Sequence, residues 1–122
     1  MHIAVFGTGY VGIVTGTCFA EMGNTVTCVD VDPRKVERLG RGEVPIYEPG
    51  LQELLEENFR HKRIRFTTLA RDALTDAQVA FICVGTPMSH SGEADLQYVE
   101  SAARDIARNL NRYTLVITKS TV

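Results

Sequence analysis

The sequence predicts an α/β fold, a doubly wound parallel sheet of about five strands in the order 3-2-1-4-5. Three observations carry that expectation. Short apolar runs alternate with longer segments whose apolar residues recur at helical spacing. The runs have no polar face, as in parallel strands covered on both sides by crossover helices. At 122 residues the chain has room for one domain, and right-handed crossovers leave few ways to arrange it.

The first run, Ile3-Ala4-Val5-Phe6, ends at Gly7. Val11, Val14, Cys18 and Met22 then mark the apolar face of a helix stopped by Gly23-Asn24. Thr25 to Asp30 is a β-branched strand. Asp32-Pro33 starts a short helix with Val36 and Leu39 on its apolar side, ended by Gly40 and Gly42. A loop from Gly42 to Gly50 contains Pro45 and Pro49. Leu51, Leu54, Leu55 and Phe59 share one face of the next helix. The basic run Arg60-His61-Lys62-Arg63 reads as a solvated connection to a strand around Arg65-Phe66-Thr67. A short helix is expected over 68–74 and a strand within 78–84. A loop over 85–93 leads to Asp95, which can cap a helix bearing Leu96, Val99, Ala103, Ile106 and Leu110. Leu115 to Thr118 is the last strand, and with no capping element after it the fold is expected to be truncated at its C-terminus.

Composition narrows the function. Thirteen Lys+Arg against fifteen Asp+Glu give a net charge of -2, which disfavours nucleic-acid binding. No apolar run approaches the roughly 18 residues of a membrane span, and the N-terminus lacks a signal-peptide pattern. Cys18, Cys28 and Cys83 are odd in number and have no metal-ligand spacing. Each is expected to be a small buried hydrophobe in a reduced, cytoplasmic protein. His2, His61 and His90 are scattered, so no metal site is expected.

Gly7-Thr8-Gly9-Tyr10-Val11-Gly12 matches G-x-G-x-x-G and lies between the first strand and the first helix, the context a dinucleotide fingerprint requires. Gly7 permits the tight turn, Gly9 lets backbone approach a pyrophosphate, and Gly12 allows close helix packing. The helix N-terminus supplies N–H donors and the positive end of its dipole. Asp30 follows 18 positions after Gly12, where a carboxylate accepts hydrogen bonds from the adenosine ribose and repels a 2′-phosphate. NAD is therefore favoured over NADP on a Rossmann-type sheet. Asp32 reads as a helix cap; Lys35, one turn on, could reach the cofactor.

The whole chain resembles the N-terminal part of the UDP-glucose/GDP-mannose dehydrogenase family. The resemblance rests on Gly7 to Gly12, Pro45-Ile46-Tyr47-Glu48-Pro49-Gly50-Leu51, Val84-Gly85-Thr86-Pro87 and Lys119-Ser120-Thr121-Val122, with Asp95-Leu96 and Tyr98-Val99-Glu100 in support. It implies that residues 1–122 are an incomplete NAD-binding domain of an enzyme oxidising the C6 alcohol of a nucleotide sugar, with UDP-glucose the favoured substrate. Val11, Asp30, Lys35, Thr86 and Thr121 would line the NAD site, Tyr10 would adjoin it, and Thr121 would assist catalysis. The catalytic cysteine would lie downstream, and the parent enzyme would be a homo-oligomer. Glu48 reads as a helix-start acceptor. Relatives acting on GDP-mannose or a UDP-N-acetylhexosamine, and a non-catalytic dinucleotide-binding module, are the alternatives.

Overall fold

A computed structural model describes residues 1–44 and 47–120. Five parallel strands form one sheet: β1 (His2–Phe6), β2 (Thr25–Val29), β3 (Ile64–Thr67), β4 (Val79–Ile82) and β5 (Leu115–Thr118). Their order is β3-β2-β1-β4-β5, as the alternation of elements predicts. The order reverses at β1, which pairs Val5 with Cys28 of β2 on one side and with Phe81 of β4 on the other.

Side chains alternate across β1 and divide the core in two. Ile3 and Val5 face one cluster with Val26, Cys28, Ile64 and Phe81. That face is covered by α1 (Tyr10–Glu21) and α3 (Leu51–Arg60), and Leu39 of α2 (Pro33–Gly40) joins the same cluster. Ala4 and Phe6 face a second cluster with Val29, Ala80 and Ile82. It is covered by α4 (Ala70–Leu74) and α5 (Gln97–Asn109) through Ala73, Leu74, Ala102 and Ile106. No helix among the described residues is long and apolar enough to cross a membrane.

Helix α1 departs from its predicted orientation. Val11, Cys18 and Met22 are exposed and Val14 is only half-buried. The buried side carries Gly12, Ile13, Thr15, Gly16, Thr17 and Ala20. The reason is steric. A Cβ on Gly16 would stand 2.9 Å from Cys28 Sγ, and one on Gly12 would stand 1.9 Å from the Gly7 carbonyl oxygen. The sheet admits the smallest side of this helix, not its bulkiest apolar side. Cys18 is consequently solvent-exposed, whereas Cys28 and Cys83 are buried.

Other expectations hold with shifts of one or two residues. Asp32 caps α2 by accepting the Arg34 N–H at 2.9 Å. In α5 the inward residue is Ala102 and not Ala103, and Leu96 and Leu110 remain exposed. The basic run after α3 is not wholly solvated. Arg63 donates its Nε–H to Asn58 Oδ1 at 2.7 Å, and the buried Asn58 donates from Nδ2 to Glu21 Oε2 and to the Leu54 carbonyl, both at 2.8 Å. This network ties the end of α1 to α3 and to the entry of β3. Glu48 does not act as a side-chain cap: the N-cap of α3 is Gly50, whose φ of +82° suits glycine. The Glu48 carboxylate lies beside the Tyr10 phenol instead and pushes its pKa up.

Candidate cofactor site

A cleft of about 400 Å³ opens at the carboxyl ends of the strands, where the strand order reverses at β1. Doubly wound sheets leave a crevice there because neighbouring crossover helices go to opposite faces. Its lining includes Gly7, Thr8 and Gly9 of the glycine turn, Asp30, Val31 and Lys35 after β2, residues after β3 and β4, and part of α5.

The glycine turn is built by sequence-local means and then locked by tertiary contacts. Gly7 takes φ +108°, and a Cβ there would meet the Cys83 carbonyl oxygen at 2.7 Å. Its N–H donates to the Val29 carbonyl at 2.8 Å. Gly12 packs under the turn against Gly7 itself, a closer contact than with any strand. A Cβ on Gly9 would meet no protein atom within 4 Å, so the turn presents bare backbone to open space. Helix α1 starts there with no side-chain cap and no acidic residue in its first turn. Its first N–H groups and dipole are left available to an anion. These features fit a dinucleotide pyrophosphate.

Asp30 follows β2 and is half-buried. One carboxylate oxygen accepts both the N–H of Thr8, at 3.1 Å, and the Thr8 hydroxyl. The other accepts the Asp32 N–H at 2.9 Å. A carboxylate offers about four lone-pair sites, so Asp30 keeps an acceptor position while it holds the turn. Lys35 is exposed on the first turn of α2 and also lines the cleft.

Of the residues singled out from sequence, Gly7, Gly9, Asp30 and Lys35 line this cleft. Tyr10 and Val11 are exposed at the start of α1, outside the lining, and Gly12 is buried beneath the turn. Thr86 is half-buried between two lining residues, Gly85 and Pro87. Thr121 lies outside the described residues, as do Pro45, Ile46 and Val122. Its neighbour Ser120 is placed: the hydroxyl donates to the Val84 carbonyl at 2.7 Å and fastens the end of β5 to the cleft wall.

Sequence reasoning missed Thr8, which is 1% exposed, and Tyr98, Ser101 and Asp105, which line the cleft from α5. Thr8 occupies a variable position of the motif, which gives no signal. The α5 residues fall at i, i+3 and i+7, so a search for a polar face opposite the apolar one would have found them.

A glycine turn at a helix N-terminus, set at the switch point of a parallel sheet with an acidic residue after β2, defines a dinucleotide-binding domain. The model of the UDP-glucose/GDP-mannose dehydrogenase family, NAD binding domain, matches residues 1–122. This chain belongs to that family, and the cofactor of its domain is NAD. It is 52% identical over 120 residues to UDP-glucose 6-dehydrogenase TuaD of Bacillus subtilis, covering 98% of this chain and 26% of that protein. It is 48% identical over 122 residues to a UDP-glucose 6-dehydrogenase of Pseudomonas aeruginosa, covering 100% and 27%. Among solved structures, a UDP-glucose dehydrogenase from Pyrobaculum islandicum superposes with a TM-score of 0.93 at 45% identity, covering 98% of this chain and 28% of that one. A GDP-mannose dehydrogenase from Pseudomonas aeruginosa gives 0.92 at 40%, covering 100% and 29%. The chain thus spans about a quarter of the length of the curated relatives it matches.

Proposed function

We propose that this chain is the NAD-binding part of a UDP-glucose 6-dehydrogenase, which oxidises the C6 alcohol of UDP-glucose to a carboxylate. The observation that carries the reading is the 52% identity, over 98% of the chain, to a relative bearing that name. The cleft geometry agrees with it. Bound NAD supplies the hydride acceptor. The backbone of Gly7 to Gly9 and the N-terminus of α1 hold its pyrophosphate, and Asp30 accepts from the adenosine ribose. Lys35, Val11 and Thr86 complete the cofactor contacts, with Tyr10 beside them. Thr121 orients a water or a substrate oxygen near the nicotinamide.

The residues of this chain divide the labour of such an enzyme: they bind and orient, while the covalent chemistry belongs to a cysteine outside residues 1–122. Cys28 and Cys83 are buried, and burial pushes both thiols up, so neither is a ready nucleophile. Cys18 is exposed, but it lies beside Val14, Phe19 and Met22 and does not line the NAD cleft. The test is NADH absorbance with NAD and UDP-glucose, GDP-mannose or a UDP-N-acetylhexosamine. A longer chain carrying the downstream segments is expected to produce NADH with UDP-glucose in preference to the others, and the 122-residue chain with none. Steady NADH production by the 122-residue chain would overturn this division, and preference of the longer chain for another sugar would overturn the substrate.

A further inference from the structure

We propose that the hollow between α1 and the edge strand β5 seats an apolar helix supplied by the part of the parent enzyme outside residues 1–122. The inference rests on the reading of this chain as one part of a longer dehydrogenase and adds an interaction surface to it. The hollow, of about 240 Å³, is lined by Val14, Thr15, Cys18, Phe19 and Met22 along α1 and its C-cap, with Lys119 after β5. Phe19 stacks on Phe81 at 5.2 Å, and Ile117, the partner of Phe81 in the sheet, packs against the same core cluster. Leu115 lies on that face of β5 and is half exposed (50%), and Met22 is 74% exposed. Val14, Cys18 and Met22 recur at helical spacing while Ile13, Gly16 and Ala20 are buried, so α1 is apolar on two sides. A helix that is apolar all round belongs inside a structure, and contiguous exposed apolar surface marks a contact.

The handedness of the fold narrows what can cover this face. Helix α5 joins β4 to β5 on the opposite face, over Ala80 and Ile82. A further parallel strand beside β5 would carry its right-handed crossover helix to that same opposite face. The hollow therefore calls for an element from farther along the parent chain. This chain covers only 26% and 27% of the two relatives, which leaves ample length to supply one. A helix suits the place. It satisfies its own backbone groups, as a lone extended segment does not, and it packs beside α1 at the usual interaxial spacing of about 8–10 Å. Lys119 is exposed and makes no ion pair among the described residues, so an acidic residue on the rim of that helix fits there. Two copies of this chain meeting about a two-fold axis would set hollow against hollow and fill neither. Docking at this place fixes α1, whose N-terminus faces the cofactor, to the remainder of the enzyme.

Cys18 sits in the hollow and is exposed, so its thiol reports what covers it. The experiment measures the rate at which Cys18 reacts with an aromatic disulfide reagent, in the 122-residue chain and in a longer chain carrying the downstream segments, each at several protein concentrations. Cys18 is expected to react at least about tenfold more slowly in the longer chain, at every concentration, and freely in the short one. Met22→Asp should leave the melting temperature of the 122-residue chain unchanged, because that side chain already faces water. In the longer chain it should lower the melting temperature and return much of the Cys18 reactivity. Circular dichroism checks that both forms of the variant are folded. Equal Cys18 rates in the short and long chains would overturn the proposal. Shielding of Cys18 in the 122-residue chain that grows with concentration would give the hollow to a second copy and overturn it as well. NADH production from UDP-glucose by the same longer chain reads the function separately. A chain that makes NADH but leaves Cys18 reactive overturns the docking alone, and one that shields Cys18 but makes no NADH overturns the substrate reading alone.

Discussion

Thr8 donates its backbone N–H and its hydroxyl to one and the same carboxylate oxygen of Asp30. The residue between the first two glycines of the turn is thereby tied to the residue after β2, and the buried Thr8 hydroxyl is satisfied without water. Asp30 therefore holds the turn in shape as well as offering an acceptor to a ribose.

Replacing Asp30 should consequently cost stability as well as affinity. Asp30→Ala leaves the buried N–H and hydroxyl of Thr8 without a partner, and each hydrogen bond to a charged group is worth about 1.5–3 kcal/mol. Thr8→Val removes only the hydroxyl bond and should cost about 1–2 kcal/mol of stability. It should lower NAD affinity less than Asp30→Ala does. Urea denaturation and calorimetric NAD titration of both variants check this. Unchanged NAD affinity in folded Asp30→Ala would remove Asp30 from the binding site.

NAD should bind at least about tenfold more tightly than NADP, since a 2′-phosphate would stand next to the Asp30 carboxylate at a partly buried position. Competition titration at moderate salt reads the ratio. Equal affinities would identify Lys35, exposed on the cleft rim, as a phosphate partner, and Lys35→Ala would then weaken NADP alone.

Two glycines of α1 should resist alanine for different reasons. Gly16→Ala places a methyl 2.9 Å from Cys28 Sγ. Overpacking of about 1–3 kcal/mol exceeds the roughly 1 kcal/mol that alanine contributes to a helix interior. Adding Cys28→Ala should relieve part of that cost, a non-additivity that a double-mutant cycle in urea measures. Gly12→Ala meets a backbone carbonyl at 1.9 Å and must move the turn, so its loss should appear in NAD affinity as well.

The cysteines should separate by reactivity and by pH. Cys18 is exposed and should react with a thiol reagent in the native protein, while Cys28 and Cys83 should wait for unfolding. Burial raises the Cys28 and Cys83 thiols above their ordinary 9.0, and the nearby Lys119 and Thr15 partly oppose this at Cys83. Below about pH 9 both thiols are protonated in folded and unfolded chains, and stability is unaffected by them. Above it the unfolded chain ionises first, binds fewer protons than the folded one, and is favoured. Stability should fall as pH rises beyond 9, by up to about 1.4 kcal/mol per pH unit per thiol. Denaturation curves at pH 8 to 10 should show a shallower fall in Cys28→Ala; an identical fall would assign the loss to other groups.

The strand order and the position of the cofactor turn were legible in the sequence because both follow from local requirements. Ile3 to Phe6 can only be buried on two faces, Asp32-Pro33 can only begin a helix, and Gly7 sits where backbone needs a positive φ. What the sequence could not state is which side of an element faces inward when hydrophobicity does not choose. Helix α1 is apolar on nearly every side, and the sheet accepted Gly12, Gly16 and Ala20 because only small residues allow the required approach. That left Val11, Cys18 and Met22 outside. Thr8 and Asn58 were likewise silent, since their placement depends on partners 22 and 37 residues distant. Local sequence sets φ, caps and periodicity. Contacts between elements decide which polar groups are paired, which are buried, and which remain open to a ligand.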